Sequence, residues 1–379
     1  MIYLDNSATT KPDPAVLKSF ERVSSQYFAN PSSIHQLGGE TEKLLKQAKK
    51  QAASILKVSP DEIVFTSGGT EGNNTAIKGI ALEHQERGKH IITSEIEHPS
   101  VHDACQSLES LGFDITYLPV NQAGVITVED VENAIKHDTI LISLMHVNNE
   151  LGSIQPIKEI GEIAKRHPKL FFHVDDVQGI GKVPLPLRDS GIDLCTFSAH
   201  KIHGLKGTGI LYVGNRTKLF PLLHGGSQEQ GIRSGTENLA GAVAMVKALR
   251  FIKEREKKEV HRLYELSDYL KSELQQLTSV EVNTADHAAP HIINFSVVGA
   301  KPEVIIHMLG EENIFISTKS ACSSKQKDES KVLTACGFDK ARSTSALRVS
   351  LSYQTTRDDI TVFLQAIEKA INQFKEVME

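Results

Sequence analysis

Two kinds of apolar patterning alternate along the first half of this chain. Short runs dense in Ile, Val, Leu and Phe read as buried strands. Longer stretches with apolar residues at helical spacing read as amphipathic helices. Strands are expected at 62–66, 90–94, 114–118, 139–144, 170–174, 194–197 and 209–213. Helices are expected at 13–26, about 40–57, 73–86, from Pro99, at 128–135 and at 157–167. Pro99 suits the first turn of its helix, where the missing N–H costs nothing. From about 60 to 215 this alternation implies an α/β unit around a largely parallel sheet.

Beyond residue 215 the pattern changes. A helical region at about 238–277, heavily charged between 253 and 262, leads to strands at 291–297, 314–316 and 347–351 and helices at 302–309 and 358–377. This reads as a smaller α+β unit. The expected division is a large domain at 15–255 and a small one made of 1–14 with 256–379. The opening Tyr3 to Thr10 reads as a short, polar, turn-forming segment.

In such sheets ligands bind outside the carboxyl ends of the strands. The polar residues at those ends are Thr70, His98, Asn149, Asp175, Gln178, Ser198, His200 and Lys201. Their convergence is the main argument within the sequence for one shared site. Ser67-Gly-Gly-Thr70-Glu71 adds a strand–glycine turn–helix, which presents free backbone N–H groups to an anion. It is not a Walker sequence, because no Gly-Lys-Ser/Thr follows.

Bulk properties narrow the class. The chain has 379 residues, with 42 Lys+Arg against 47 Asp+Glu and a formal charge of −5. That balance does not suggest a nucleic-acid surface. The four cysteines, Cys105, Cys195, Cys322 and Cys336, form no C-x-x-C pair and no disulfide framework. No basic-then-apolar leader opens the chain, and no apolar run approaches the roughly 20 residues of a membrane helix. A soluble, cytoplasmic protein without metal is expected.

The chemistry starts from Ser198-Ala199-His200-Lys201, just past the apolar run 194–197. A lone loop lysine is ordinarily a solvated one. Here the neighbouring residues match what pyridoxal 5′-phosphate requires. Lys201 supplies an amine for the aldehyde, and Asp175 a carboxylate for the pyridine nitrogen. Thr70, Ser198 and His200 supply phosphate donors, and His98 a planar group for the ring. Asn149 and Gln178 supply hydrogen bonds for the 3′-oxygen.

Eight motifs carry a resemblance. They are Gly-Gly69-Thr70-Glu, Glu97-His98, His146-Val-Asn-Asn149-Glu, His173-Val-Asp175-Asp-Val-Gln178, Ser198-Ala199-His-Lys201, Arg233-Ser-Gly-Thr236, Ser320-Ala-Cys322 and Ala346-Leu-Arg348. In this order and spacing the chain resembles the cysteine desulfurases, the NifS/IscS-like branch of the class V aminotransferases. The resemblance implies a fold-type I, pyridoxal-phosphate-dependent homodimer. It makes Lys201 the aldehyde-bound lysine and Asp175 the pyridinium partner. His98 becomes a stacking group and acid/base candidate. Gly69, Thr70, Ser198, Ala199 and His200 become phosphate-side positions, joined by Thr236 from the other subunit. Asn149 and Gln178 are placed at the 3′-oxygen, and Asn149 and Arg348 at the substrate carboxylate. Cys322 is made the thiolate that takes sulfur from L-cysteine, leaving L-alanine and a persulfide. The persulfide is then passed to a sulfur-acceptor protein of iron–sulfur assembly or tRNA thiolation.

The sequence departs from that pattern in three places. Asp176 sits beside Asp175, where it either raises a carboxyl pKa or faces away. Lys319 lies three residues before Cys322, and the chain ends at Glu379 without the longer tail of some scaffold-feeding relatives. The rival readings are a selenocysteine lyase or another lyase or aminotransferase of the same fold, and a sulfur or metal scaffold using histidines such as His98 and His102. Without the resemblance, Cys322 is only a thiol in a polar loop. Cys105, Cys195 and Cys336 are expected in the core.

Overall fold

The computed structural model describes residues 1–318 and 329–378. Its elements in chain order are β1 (Ile2–Tyr3), α1 (Pro14–Gln26), α2 (Gln36–Leu56), β2 (Ile63–Thr66), α3 (Gly69–His84), β3 (His90–Ser94), α4 (Pro99–Glu109) and β4 (Asp114–Leu118). Then come α5 (Val128–Ala134), β5 (Thr139–Met145), α6 (Ile157–Lys165), β6 (Phe171–Asp175), β7 (Leu194–Ser198) and β8 (Gly209–Val213). The long α7 (Leu239–Leu274) leads to β9 (Val280–Val282), β10 (Ile292–Val297), α8 (Pro302–Glu311) and β11 (Ile314–Phe315). The chain closes with α9 (Lys331–Ala335), α10 (Lys340–Thr344), β12 (Ala346–Ser350) and α11 (Arg357–Met378).

The seven-stranded sheet has the order β2-β8-β7-β6-β5-β3-β4. Pairs β3–β4, β3–β5, β5–β6 and β6–β7 are parallel. β8 is antiparallel to both β7 and β2, so it alone is reversed. The expectation of a largely parallel sheet therefore holds. The carboxyl ends of β2, β3, β5, β6 and β7 all open on one edge. Strands β3, β5, β6 and β7 are buried along their whole length, as expected of a sheet covered on both faces.

A three-stranded sheet, β12-β10-β9, is antiparallel, and β1 pairs with β11. One contiguous core runs from Leu144, Phe172 and Phe197 under the large sheet to Phe295, Leu347 and Phe363 under the small one. Two strands escape the apolar pattern. β1 and β9 have only two and three residues, too short to show a period. The opening segment is thus partly strand rather than only turn.

Two helix starts also differ from expectation. α2 begins at Gln36, not near 40, because the His35 side chain accepts from Gly38 N–H and caps it. α3 begins at Gly69, not Asn73. Glycines are poor helix formers, but close packing requires one, Gly72, in this first turn. A Cβ on Gly72 in the first turn of α3 would lie 2.6 Å from Thr196 Cγ2 of β7. Thr196 cannot turn aside cheaply, because its Oγ1 is 3.0 Å from His173 Nε2 in the buried core. Gly72→Val is therefore expected to lift α3 off β7 and cost about 1–3 kcal/mol. An undiminished urea midpoint would contradict this contact.

Candidate active site

Sheet topology gathers most of the candidate residues into one cavity. It has a volume of about 300 Å³, within the range of roughly 300–1,000 Å³ usual for small-ligand sites. Gly69, Thr70, His98, Asn149, Asp175, Gln178, Ser198, His200, Lys201 and Arg348 all line it. Ala199 does not. It is fully buried below, and a Cβ on Gly204 would come within 2.7 Å of its methyl. Thr236 is exposed and lies outside the cavity of this subunit. Cys322, with Lys319, lies outside the described residues.

At one end of the cavity α3 points its N-terminus inward. Its cap residue, Gly68, has φ 144° and no side chain, so no side-chain cap covers the first N–H groups. That φ is open to glycine and strained for other residues. Ser198 Oγ lines the same cavity and is buried without a hydrogen-bond partner among the described residues. His200 is pushed down to about 4, first by burial and then by Lys201 and Lys206, so its ring is neutral at pH 7. Helix terminus, free hydroxyl and neutral imidazole form a donor set for an oxyanion that already carries its own charge.

Asp175 closes β6 and is 6% exposed. Its Oδ2 accepts from Asn73 Nδ2 at 2.7 Å and its Oδ1 from Val177 N at 3.0 Å. Asn73 also donates to Ser100 Oγ at 2.9 Å, and Ser100 Oγ is 2.8 Å from His98 Nδ1. That nitrogen accepts from Ser100 N–H as well, at 3.1 Å, which leaves the proton of the neutral ring on Nε2. Burial lowers the His98 pKa despite the opposing pull of Asp175. One polar chain thus orients both the carboxylate and the imidazole.

The second aspartate faces away. Asp176 Oδ1 is 2.7 Å from His146 Nδ1, and both groups are buried outside the cavity. Burial raises the Asp176 carboxyl and His146 opposes it, with Asp175 a lesser influence. Glu97, beside His98, is pushed up to about 8 by burial and stands as a neutral acid at pH 7. Its Oε1 accepts from Ser94 Oγ at 2.7 Å and from Met145 N at 3.0 Å, tying the ends of β3 and β5 together.

Lys201 Nζ donates to the carbonyls of Ser7 and, at 2.9 Å, Ala8. Lys182, itself buried, donates to the Lys201 carbonyl at 2.9 Å from behind. Arg348, in the middle of β12, is 1% exposed. It donates through Nη1 to the Asn149 carbonyl at 2.8 Å and through Nη2 to Asp5 Oδ1 at 3.1 Å. Gln178 Nε2 donates to the Ser7 carbonyl at 3.0 Å.

Sequence reasoning missed Asn73, Ser100, Ser7 and Asp5. Asn73 lies one helical turn after Thr70 and so faces the same way, a signal available in advance. The N-terminal pair gives no such signal, because only tertiary packing brings it here. The scaffold alternative loses its ligand pair: His98 faces the cavity, whereas His102 contacts Asp103 at 3.2 Å on the surface.

Comparisons with known proteins agree with this architecture. The aminotransferase class-V family model matches residues 2–363. A NifS/IcsS protein homolog of Lactobacillus delbrueckii subsp. bulgaricus is 45% identical, over 100% of this chain and 99% of that protein. The cysteine desulfurase IscS of Dictyoglomus turgidum is 42% identical, over 99% and 96% respectively. Among solved structures, a NifS-like protein superposes with a TM-score of 0.92 at 34% identity, covering 98% of this chain and 99% of that one. A second, described as SspA in complex with cysteine, gives 0.80 at 36% identity over 93% and 99%. The match over nearly the whole length, on a fold of the same design, shows that this chain belongs to the aminotransferase class-V family.

Proposed function

We propose that this protein is a pyridoxal-phosphate-dependent cysteine desulfurase. The observation that carries the reading is the placement of Lys201, Asp175 and Arg348 around one cavity that the donor set also lines. The residues fit the cofactor: Ser198 Oγ and the uncapped α3 terminus suit its phosphate, and the doubly held Asp175 carboxylate suits its ring nitrogen. When bound, pyridoxal phosphate supplies an aldehyde for the substrate amine and a ring that accepts electrons from the α-carbon.

The protein's part follows from chemistry. Asp175 would keep the pyridine nitrogen protonated, with Asn73 orienting Asp175. Thr70, Ser198 and His200 would hold the phosphate, with Thr236 of a second subunit completing the set in a homodimer. His98 would hold the ring, and Asn149 and Gln178 would hold its 3′-oxygen. Arg348 grips the α-carboxylate through its planar fork. The Lys201 amine removes the α-proton. The Cys322 thiolate attacks the substrate sulfur, and the C–S electron pair stays with carbon. Protonation of that carbon and return of a proton to the α-carbon give L-alanine, with the sulfur left as a persulfide on Cys322. A sulfur-acceptor protein of iron–sulfur assembly or tRNA thiolation then takes it.

The proposed division is into 15–255 and 1–14 with 256–379, and its second boundary falls inside the continuous α7. Among the described residues no helix is long and apolar enough to cross a membrane. The test is product analysis. Protein loaded with pyridoxal phosphate and given L-cysteine with a reducing thiol is expected to release sulfide and L-alanine in equal amounts. Sulfide accompanied by pyruvate and ammonia instead of alanine would overturn the reading.

A further inference from the structure

The N-terminal segment is built into the cavity wall. Ser7 and Ala8 accept from Lys201, Ser7 also from Gln178, and Asp5 from Arg348. The backbone of this segment is secured independently of those contacts. Asn6 Nδ2 donates to the Ser350 carbonyl at 2.9 Å, Ser7 N to Ser350 Oγ at 2.8 Å, and Tyr3 OH to the Thr9 carbonyl at 2.8 Å. The Asp5 side chain is therefore free to leave Arg348 while its backbone stays in place.

Arg348 is incompletely satisfied. Its Nε is buried without a partner among the described residues, and Asp5 holds it through a single contact of 3.1 Å. A guanidinium presents five donors and binds a carboxylate best through two parallel hydrogen bonds. The Asp5 carboxylate thus stands, with a poorer grip, in the role proposed for the substrate. Burial raises its pKa, opposed by Arg348 and Lys201, so the position is not an easy one for the anion.

We propose that Asp5 is a specificity-determining residue, an internal carboxylate on Arg348 that the α-carboxylate of an amino-acid substrate displaces. The inference rests on the reading of the cavity as an amino-acid site. Binding is then an exchange of one carboxylate for another, and the buried guanidinium keeps a counter-charge before substrate arrives. After exchange, Asp5 remains beside the site as a negative charge. A ligand with one carboxylate is accepted, and a second carboxylate on the ligand is repelled.

The test compares the wild-type holoenzyme with Asp5→Asn by calorimetric titration with propionate and succinate. Removing the internal competitor is expected to lower the propionate Kd about tenfold, the scale of one charge-assisted hydrogen bond. The preference for propionate over succinate is expected to shrink. A merely structural role predicts weaker binding of both, and unchanged or weaker propionate binding overturns the proposal. Should Asp5→Asn not fold, a crystal structure of the wild-type holoenzyme with propionate decides. The carboxylate is expected on Arg348 with Asp5 withdrawn, and Asp5 still on Nη2 overturns the proposal. Neither measurement needs turnover, so an absence of alanine production would sink the functional reading separately.

Discussion

Lys201→Ala is expected to abolish turnover of L-cysteine, lowering kcat by at least about 10⁴-fold, because in the proposed mechanism one amine serves as both covalent tether and base. No second amine stands in reserve. Lys201 is the only lysine among the described residues that line the cavity, and Lys182 is engaged from behind with the Lys201 carbonyl. The proposed phosphate donors are untouched by this change, so pyridoxal phosphate is expected still to bind, but without a covalent link. The check is borohydride reduction followed by peptide mapping. Wild-type protein is expected to carry the cofactor permanently on Lys201, and the variant to release it on denaturation. A variant that keeps a tenth of wild-type activity would remove Lys201 from the mechanism.

Cys322→Ala is expected to reduce sulfide release to below roughly 1%, while α-proton exchange of cysteine in deuterated water continues. The exchange separates a lost sulfur acceptor from a damaged site. No thiol among the described residues can substitute. Burial pushes Cys105 and Cys336 up to about 12 and Cys195 well above its ordinary value. At pH 7 a thiol of pKa 12 is ionised in only about one molecule in 10⁵, and the thiolate is the nucleophile. An aminotransferase or selenocysteine lyase of the same fold has no need of that thiol in the same way. Full desulfurase activity in the variant would favour such a rival.

Much of the site could be read from sequence because many of its residues sit at a recognisable boundary. Asp175 and Ser198 end apolar runs that could only be buried strands, and His98 precedes a proline that had to open a helix. The side chains missed were those whose role depends on a distant partner. Asn73 matters because its amide meets Asp175, 102 residues away. Asp5 matters because its carboxylate meets Arg348, 343 residues away. The direction in which Asp176 points was equally undecided until packing against His146 turned it from the cavity.

What the chain's own pattern determines is local: which segments are strands or helices, and that polar residues cluster where strands end. Apolar period and turn chemistry act over a few residues, and they suffice to imply an α/β sheet with a ligand edge. What only the tertiary structure decides is which distant groups meet there. The reversal of β8 depends on pairing between strands rather than on the composition of any strand. The need for glycine at position 72 depends on close packing of α3 against Thr196. The seating of residues 5–9 beneath Lys201 and Arg348 depends on hydrogen bonds to β12. Contacts across hundreds of residues leave no period in the sequence, because they are selected by the shape and charge of the assembled core.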